Sequence, residues 1–256
     1  MQKGLFVILS ALMLWSCKKD PATVSAGNEP GAIVLSNSIE FKLTNVVGSV
    51  PLALTTQTYI NQNQDTFTVD LFRYYISNIK LKRDDGFEFT EPESYRLVSQ
   101  SDSLSLDFAI QNVPLGNYIS MEFIIGVDSA RNCDGAQSGA LDPVNDMFWD
   151  WSQGYIFAKL QGQCNSAPGG SYFNHIGGFS GPWNAIVKSA PSFGTNLIQV
   201  SSDRIPKVFM KADVLEWFKN PQIIDLASYN TVTTGKKAHE IAGNYADMFS
   251  VTAIVN

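Results

Sequence analysis

The side chains best equipped for chemistry are few and gather in the middle of the chain. Residues 139–155 read G-A-L-D-P-V-N-D-M-F-W-D-W-S-Q-G-Y and set Met147, Trp149 and Trp151 among Asp142, Asp146 and Asp150. If 147–151 are extended, Met147, Trp149 and Trp151 share one face, while Phe148 and Asp150 point the other way. A thioether would then stand beside two indoles. Such a face is either core, where large aromatics carry much of the burial energy, or a lining for a ligand. The chain has only two histidines. His175 lies in Ser171-Tyr-Phe-Asn-His-Ile-Gly-Gly-Phe179, where the paired glycines let another backbone or a ligand come close. His239 lies in Lys237-Ala-His-Glu-Ile241, a segment read as exposed. Neither has a partner at the spacing of a zinc enzyme, so spacing alone assigns no metal.

A second set of donors lies just upstream. The stretch 128–146 carries Asp128, Asn132, Asp134, Asp142, Asn145 and Asp146, hard oxygen ligands of the kind calcium takes. Asn132-x-Asp134-Gly135 has the look of a calcium loop, but Ala130 stands where an acid belongs and no closing glutamate follows. Solvated turn residues are the plain alternative. No G-x-S-x-G elbow, P-loop, dinucleotide glycine fingerprint or haem-attachment C-x-x-C-H is present. The chain therefore reads as non-enzymatic. Its net charge of -6, with no basic stripe, gives nucleic acid no electrostatic footprint.

The elements that must position these residues have a period of two. Ile39, Phe41 and Leu43 alternate with Glu40, Lys42 and Thr44, as a half-buried first strand does. Residues 66–81 are rich in β-branched and aromatic types, and Asp84-Asp85-Gly86 turns them towards Phe87-Glu-Phe89 as a hairpin. Residues 104–113, the turn Pro114-Leu-Gly-Asn117 and the alternation of Ile119, Met121, Phe123, Ile125 and Val127 read as another. Helix is scarce: Asp213 suits an N-cap for 214–219, which Pro221 stops, and 240–249 forms a turn or two. The expected fold is all-β and mainly antiparallel, a sandwich or barrel-like domain with one or two short helices.

The start of the chain bears on its compartment. Met1-Gln-Lys3, the apolar run to Trp15 and then Ser16-Cys17 read as a lipoprotein signal peptide over 1–16, with cleavage before a lipidated Cys17. Residues 17–37 are then the lipidated cysteine and a flexible tether, and 38–256 a single domain. The expected location is the outer membrane, on its periplasmic or cell-surface face, with the lipid as the only membrane contact. Cys133 and Cys164 remain, and an even pair in an oxidising compartment is most simply a disulfide. A cysteine-based metal site is the weaker alternative.

In order along the chain, Phe72-Arg-Tyr-Tyr-Ile-Ser-Asn-Ile-Lys-Leu81, Phe123-Ile-Ile-Gly-Val127, Ala140-Leu-Asp-Pro143, Met147-Phe-Trp-Asp-Trp-Ser-Gln-Gly-Tyr155 and Phe173-Asn-His-Ile-Gly-Gly-Phe179 resemble the MbnP-like copper-binding proteins. The resemblance spans roughly residues 38–252. It implies a secreted β-rich copper protein that acts beside a dihaem cytochrome c peroxidase-like partner, which oxidises a tryptophan to kynurenine. On this chain the candidate tryptophans are Trp149 and Trp151, and the matching ligand is His175. Met147 is a possible soft ligand for cuprous copper. Other branches of the family carry a histidine after the loop asparagine, where this chain has Cys133. Either Cys133 or His239 replaces that ligand, or the site has one fewer. The competing function is a sandwich module that binds a glycan or an envelope protein, with structural calcium on Asp128, Asn132, Asp134, Asp142 and Asp146.

Overall fold

The computed structural model describes residues 34–150 and 152–256. The expected leader at 1–16, the lipidation at Cys17, the tether up to residue 33 and Trp151 lie outside the described residues. The first strand, Ser36–Val47, alternates as expected: Ile39, Phe41 and Leu43 are buried between half-exposed neighbours. It sits inside a five-stranded sheet, antiparallel to Asp107–Pro114 on one side and parallel to Lys207–Asp213 on the other. Phe249–Val255 pairs with the far side of Lys207–Asp213.

The second sheet has ten strands, and its main path runs Val187–Ser189, Gly116–Ile125, Leu71–Arg83, Gly154–Gln163, Ser171–Gly177 and Thr231–Val232. Two pairings are parallel, Ser36–Val47 with Lys207–Asp213 and Ser171–Gly177 with Thr231–Val232; the others among the described residues are antiparallel. The inner faces meet through aromatics. Tyr74 and Phe123 of the larger sheet place their rings 5.5 and 5.0 Å from that of Phe249 in the smaller, and the Tyr74 hydroxyl donates to Asn45 Oδ1 at 2.8 Å. The expected all-β, mainly antiparallel sandwich is the fold observed.

Two expectations need correction. Residues on either side of Pro114 do not form a hairpin, because Asp107–Pro114 pairs with Ser36–Val47 while Gly116–Ile125 joins Leu71–Arg83 in the other sheet. Leu115 donates its backbone N–H to Leu35 O at 3.1 Å, and Gly116 at φ +147° turns the chain from one sheet to the other. Nor do Cys133 and Cys164 pair. Cys164 is a free thiol buried beneath the strands, with its Sγ 3.1 Å from Ser166 Oγ.

The short helices behave largely as read. Asp213 caps the 3₁₀ turn Val214–Phe218 by accepting from Leu215 N at 3.0 Å. That turn drives Trp217 into the core, 4.9 Å from Tyr245 at the end of the helix Lys236–Tyr245. This second helix starts earlier and ends earlier than its sequence suggests. One strand loses its period of two altogether: residues 154–160 are buried without a break. Core covers one face of it, and the segment 142–150 covers the other.

Candidate functional site

The covered outer face of Gly154–Gln163 brings basic side chains into a row. Arg73, Lys159 and His175 are direct neighbours in register across three adjacent strands. Tyr74, Leu160 and Ile176, one residue along each strand, point inwards to the core, so these three point outwards. Lys159 is an unusual strand residue, with only 3% of its side chain exposed. Burial of an ammonium demands compensation, and here the overlying segment supplies it. Lys159 Nζ donates to Asp146 Oδ2 at 2.7 Å and also to the Asp146 carbonyl. Arg73 Nη1 donates to Asn145 O at 3.2 Å, while its Nε is buried without a hydrogen-bond partner among the described residues.

The overlying segment is shaped for this role by its own sequence. Asp142 accepts from Val144 N at 2.9 Å and starts the 3₁₀ turn Pro143–Asn145, with proline at its first position. Asp146 ends the turn in the left-handed region at φ +58°. The short strand Phe148–Asp150 follows, antiparallel to Gly154–Gln163. Its pairing steps from Phe148↔Tyr155 to Asp150↔Gly154, so Trp149 is the extra residue of a β-bulge. The bulge breaks the simple alternation read from the sequence. Met147 is sealed in the core at 0% exposure, and the Phe148 ring packs 4.9 Å from that of Tyr155.

Trp149 is half-buried and lies over Gly177. A Cβ added at Gly177 would stand 2.6 Å from Trp149 Cζ3 and 2.8 Å from Tyr155 O, so only glycine admits the indole there. Gly177 and His175 are two residues apart on one strand and therefore share a face, roughly 7 Å apart along the strand. The indole and the imidazole thus lie on the same surface in successive positions. His175 is half-buried, and its Nε2 is buried with no hydrogen-bond partner among the described residues. Its pKa is pushed down to about 4, first by desolvation and then by the Lys159 ammonium, with Asp146 pulling the other way. The ring is therefore neutral at neutral pH, and its Nε2 makes no hydrogen bond among the described residues.

A pH dependence follows from that depressed value. Between about pH 6.5 and pH 4 the unfolded chain protonates His175 and the folded chain does not. The stabilisation is complete above 6.5 and is lost as pH falls to about 4, on the order of 1–3 kcal/mol after solvent screening. Urea melts across this window should show the slope, and His175→Gln should flatten it. An unchanged slope in that variant would assign the effect to other groups.

The remaining candidates lie elsewhere or are already engaged. His239 is exposed on the second helix, with Nδ1 2.7 Å from Asn184 O and its ring 5.9 Å from that of Trp183. The oxygens proposed for calcium are mostly used as caps and braces. Asp128 accepts from Arg131 N at 3.1 Å, from Asn78 Nδ2 at 2.9 Å and from the Tyr95 hydroxyl. Asn132 is buried: its Nδ2 donates to Val127 O and Asp128 O at 2.8 and 2.9 Å, and its Oδ1 accepts from Tyr155 N at 2.8 Å. Asp134 closes the one-turn helix Ser129–Cys133 by donating its N–H to Ala130 O at 3.0 Å. Among the described residues, no three His, Cys, Asp or Glu side chains converge on one point.

Sequence reasoning passed over Arg73, Lys159 and Gly177. The one available signal was a lysine set inside the otherwise apolar run Tyr155-Ile-Phe-Ala-Lys-Leu160. No curated protein matches the chain. Among solved structures, MbnP from Methylosinus trichosporium is similar, at 12% identity and a TM-score of 0.49, over 79% of this chain and 82% of that one. The MbnP family model matches residues 36–235, which include both the row Arg73–Lys159–His175 and the bulge at Trp149. This chain belongs to the MbnP family.

Proposed function

We propose that this protein binds copper on the outer face of the larger sheet, through His175 and the side chain at position 149, and that it is not an enzyme. One observation carries the reading: the buried Nε2 of a neutral His175 has no hydrogen-bond partner among the described residues, on the same strand face that Trp149 covers. A buried polar atom without a hydrogen bond is costly, and a soft metal that prefers imidazole is one way to satisfy it. Bound copper would supply a redox-active ion that accepts low coordination numbers. The protein's own groups do the rest. Gly177 seats the ring at position 149, the bulge aims it, and Asp142 and Asp146 shape the segment that covers the face.

The family resemblance adds the oxidation of a tryptophan to kynurenine by a dihaem cytochrome c peroxidase-like partner. Trp149 suits that step here: it is half-buried, at a bulge, and seated over Gly177, two residues along the strand from His175. Kynurenine carries an aromatic amine and a ketone in place of the weakly coordinating indole. An anchor at Cys17 and a place at the outer membrane belong to the same proposal.

The test is copper titration by competition with a chromophoric chelator, on the chain produced with and without the haem partner. Stoichiometric binding is expected in the wild type, and about a hundredfold loss of affinity, ~2.7 kcal/mol, in His175→Ala. Peptide mass spectrometry should find the partner-dependent change at Trp149. Undiminished affinity in His175→Ala would overturn the assignment.

A further inference from the structure

Resting on the anchor at Cys17 proposed above, we infer that one end of the sandwich docks on the bilayer that holds this anchor, as a second and apolar membrane contact. The two sheets share this end. The first strand starts there with Ser36 opposite Pro114, Lys207 lies opposite Val255, and Arg83 closes its own strand opposite Tyr118. Hydrogen bonds tie the corners together: Leu115 N donates to Leu35 O at 3.1 Å, Arg83 Nη1 to Leu115 O at 2.9 Å, Asn37 Nδ2 to Arg204 O at 3.1 Å and Arg204 Nη1 to Asn256 O at 3.3 Å. Around them Val34, Leu35, Phe87, Ile119, Ile205 and Val255 are all exposed, Leu35 to 65%. Single exposed apolar residues are ordinary; six gathered at one end of a fold mark a surface that meets something.

Two further observations single out a bilayer as the occupant. The described chain begins at Val34, inside this group, so the segment leading back to Cys17 joins the domain here. Val34 is 17 positions after Cys17, a reach of at most about 60 Å, which holds this end close to the lipid at high effective concentration. A contact too weak to recruit a free protein then suffices. The charges decide what kind of contact it is. Arg83 pairs with Asp85, Arg204 with Asp203 at 3.8 Å and Lys207 with Glu40 at 3.2 Å, so this end has no excess of cations with which to gather anionic headgroups. Its hold on the bilayer is apolar, by side chains set among ion pairs. Arg83 also lies 4.6 Å over the Phe87 ring, an arrangement that buries its stem and leaves its charge at headgroup level. Arg73 is ten residues back along the strand Leu71–Arg83, roughly 33 Å, so an end-on contact holds the row of Arg73, Lys159 and His175 far from the headgroups.

The experiment uses the lipidated chain recovered from the envelope of producing cells and reconstituted into phosphatidylcholine vesicles that contain a lipid with a diazirine in its upper acyl chain. After illumination, peptide mass spectrometry maps the lipid adducts. The peptides of Val144 and Ile223, equally exposed but placed elsewhere, are the controls. Adducts on the peptides of Leu35, Ile205 and Val255 are expected at about tenfold the control yield, and Leu35→Glu combined with Ile205→Glu should abolish that excess while the lipid mass at Cys17 stays. Added phosphatidylglycerol should change the yield by less than about twofold. Equal labelling of this end and the controls, with the lipid present on Cys17, would overturn the docking and leave the anchor standing. So would an excess that appears only with phosphatidylglycerol, which marks an electrostatic contact, or cross-links between two copies through Ile205 without lipid adducts there. An amino-terminal peptide without lipid mass would remove the anchor and this contact together.

Discussion

Asn132→Ala should destabilise the domain by about 3–4 kcal/mol, more than any other single truncation in the segment that leads to the site. The side chain is 1% exposed and fully engaged, with two donations to backbone carbonyls and one acceptance from Tyr155 N. Its loss takes the side-chain partner from Val127 O and Tyr155 N in a place where water enters only if the structure opens, while Asp128 O keeps the backbone N–H of Asn132. Each such group costs about 1–3 kcal/mol, partly relieved by relaxation. Asn132 also sets the geometry of the turn before Tyr155. A Cβ at Gly154 would lie 2.2 Å from Asn132 Oδ1, so amide and glycine fit each other closely. Denaturant melts give the size of the effect, and a change below 1 kcal/mol would show that the bonds to Val127, Asp128 and Tyr155 are replaced cheaply. Asn132→Asp should lie between, since a carboxylate keeps the acceptor for Tyr155 N but loses both donations.

Gly177→Ala should unseat Trp149 and cost about 2–4 kcal/mol. The added methyl would stand 2.6 and 3.0 Å from two indole carbons and 2.8 Å from the Tyr155 carbonyl oxygen. The ring can swing away, but the backbone oxygen belongs to a paired strand and cannot. Two readouts separate these responses. Tryptophan emission should shift to the red as the indole gains water, and copper affinity should fall with it if position 149 is a ligand. A variant with wild-type emission and stability would show that the face adapts without moving the ring, and the close seat on Gly177 would then have no role in positioning.

The fold was more legible in the sequence than the site. Ile39, Phe41 and Leu43 announce their strand because its two faces meet different surroundings, and Asp213 announces its cap because the cap is local. The stretch around Pro114 misleads for the opposite reason. A Pro-Leu-Gly-Asn turn between two alternating runs is locally a hairpin, and only pairing with the distant Ser36–Val47 takes its first arm into the other sheet. His175 and Trp149 stand out as rare residue types, yet their shared face depends on a bulge that no local pattern marks. Lys159 is harder still. Its partners Arg73 and His175 are neighbours through register alone, and register is set by long-range pairing.

The parallel pairing of the first strand has a consequence for how the chain is made. Ser36–Val47 sits between two strands, and one of them, Lys207–Asp213, is synthesised about 170 residues later. A chain that emerges from its amino end therefore leaves one flank of the strand carrying Ile39, Phe41 and Leu43 unpaired until residue 207 is reached, although Phe41 can already stack on Phe108. Completion of the smaller sheet is a late event, slow because so long a loop must close, and the incomplete edge is sticky while it lasts. Fragments that stop short of residue 207 should aggregate instead of folding.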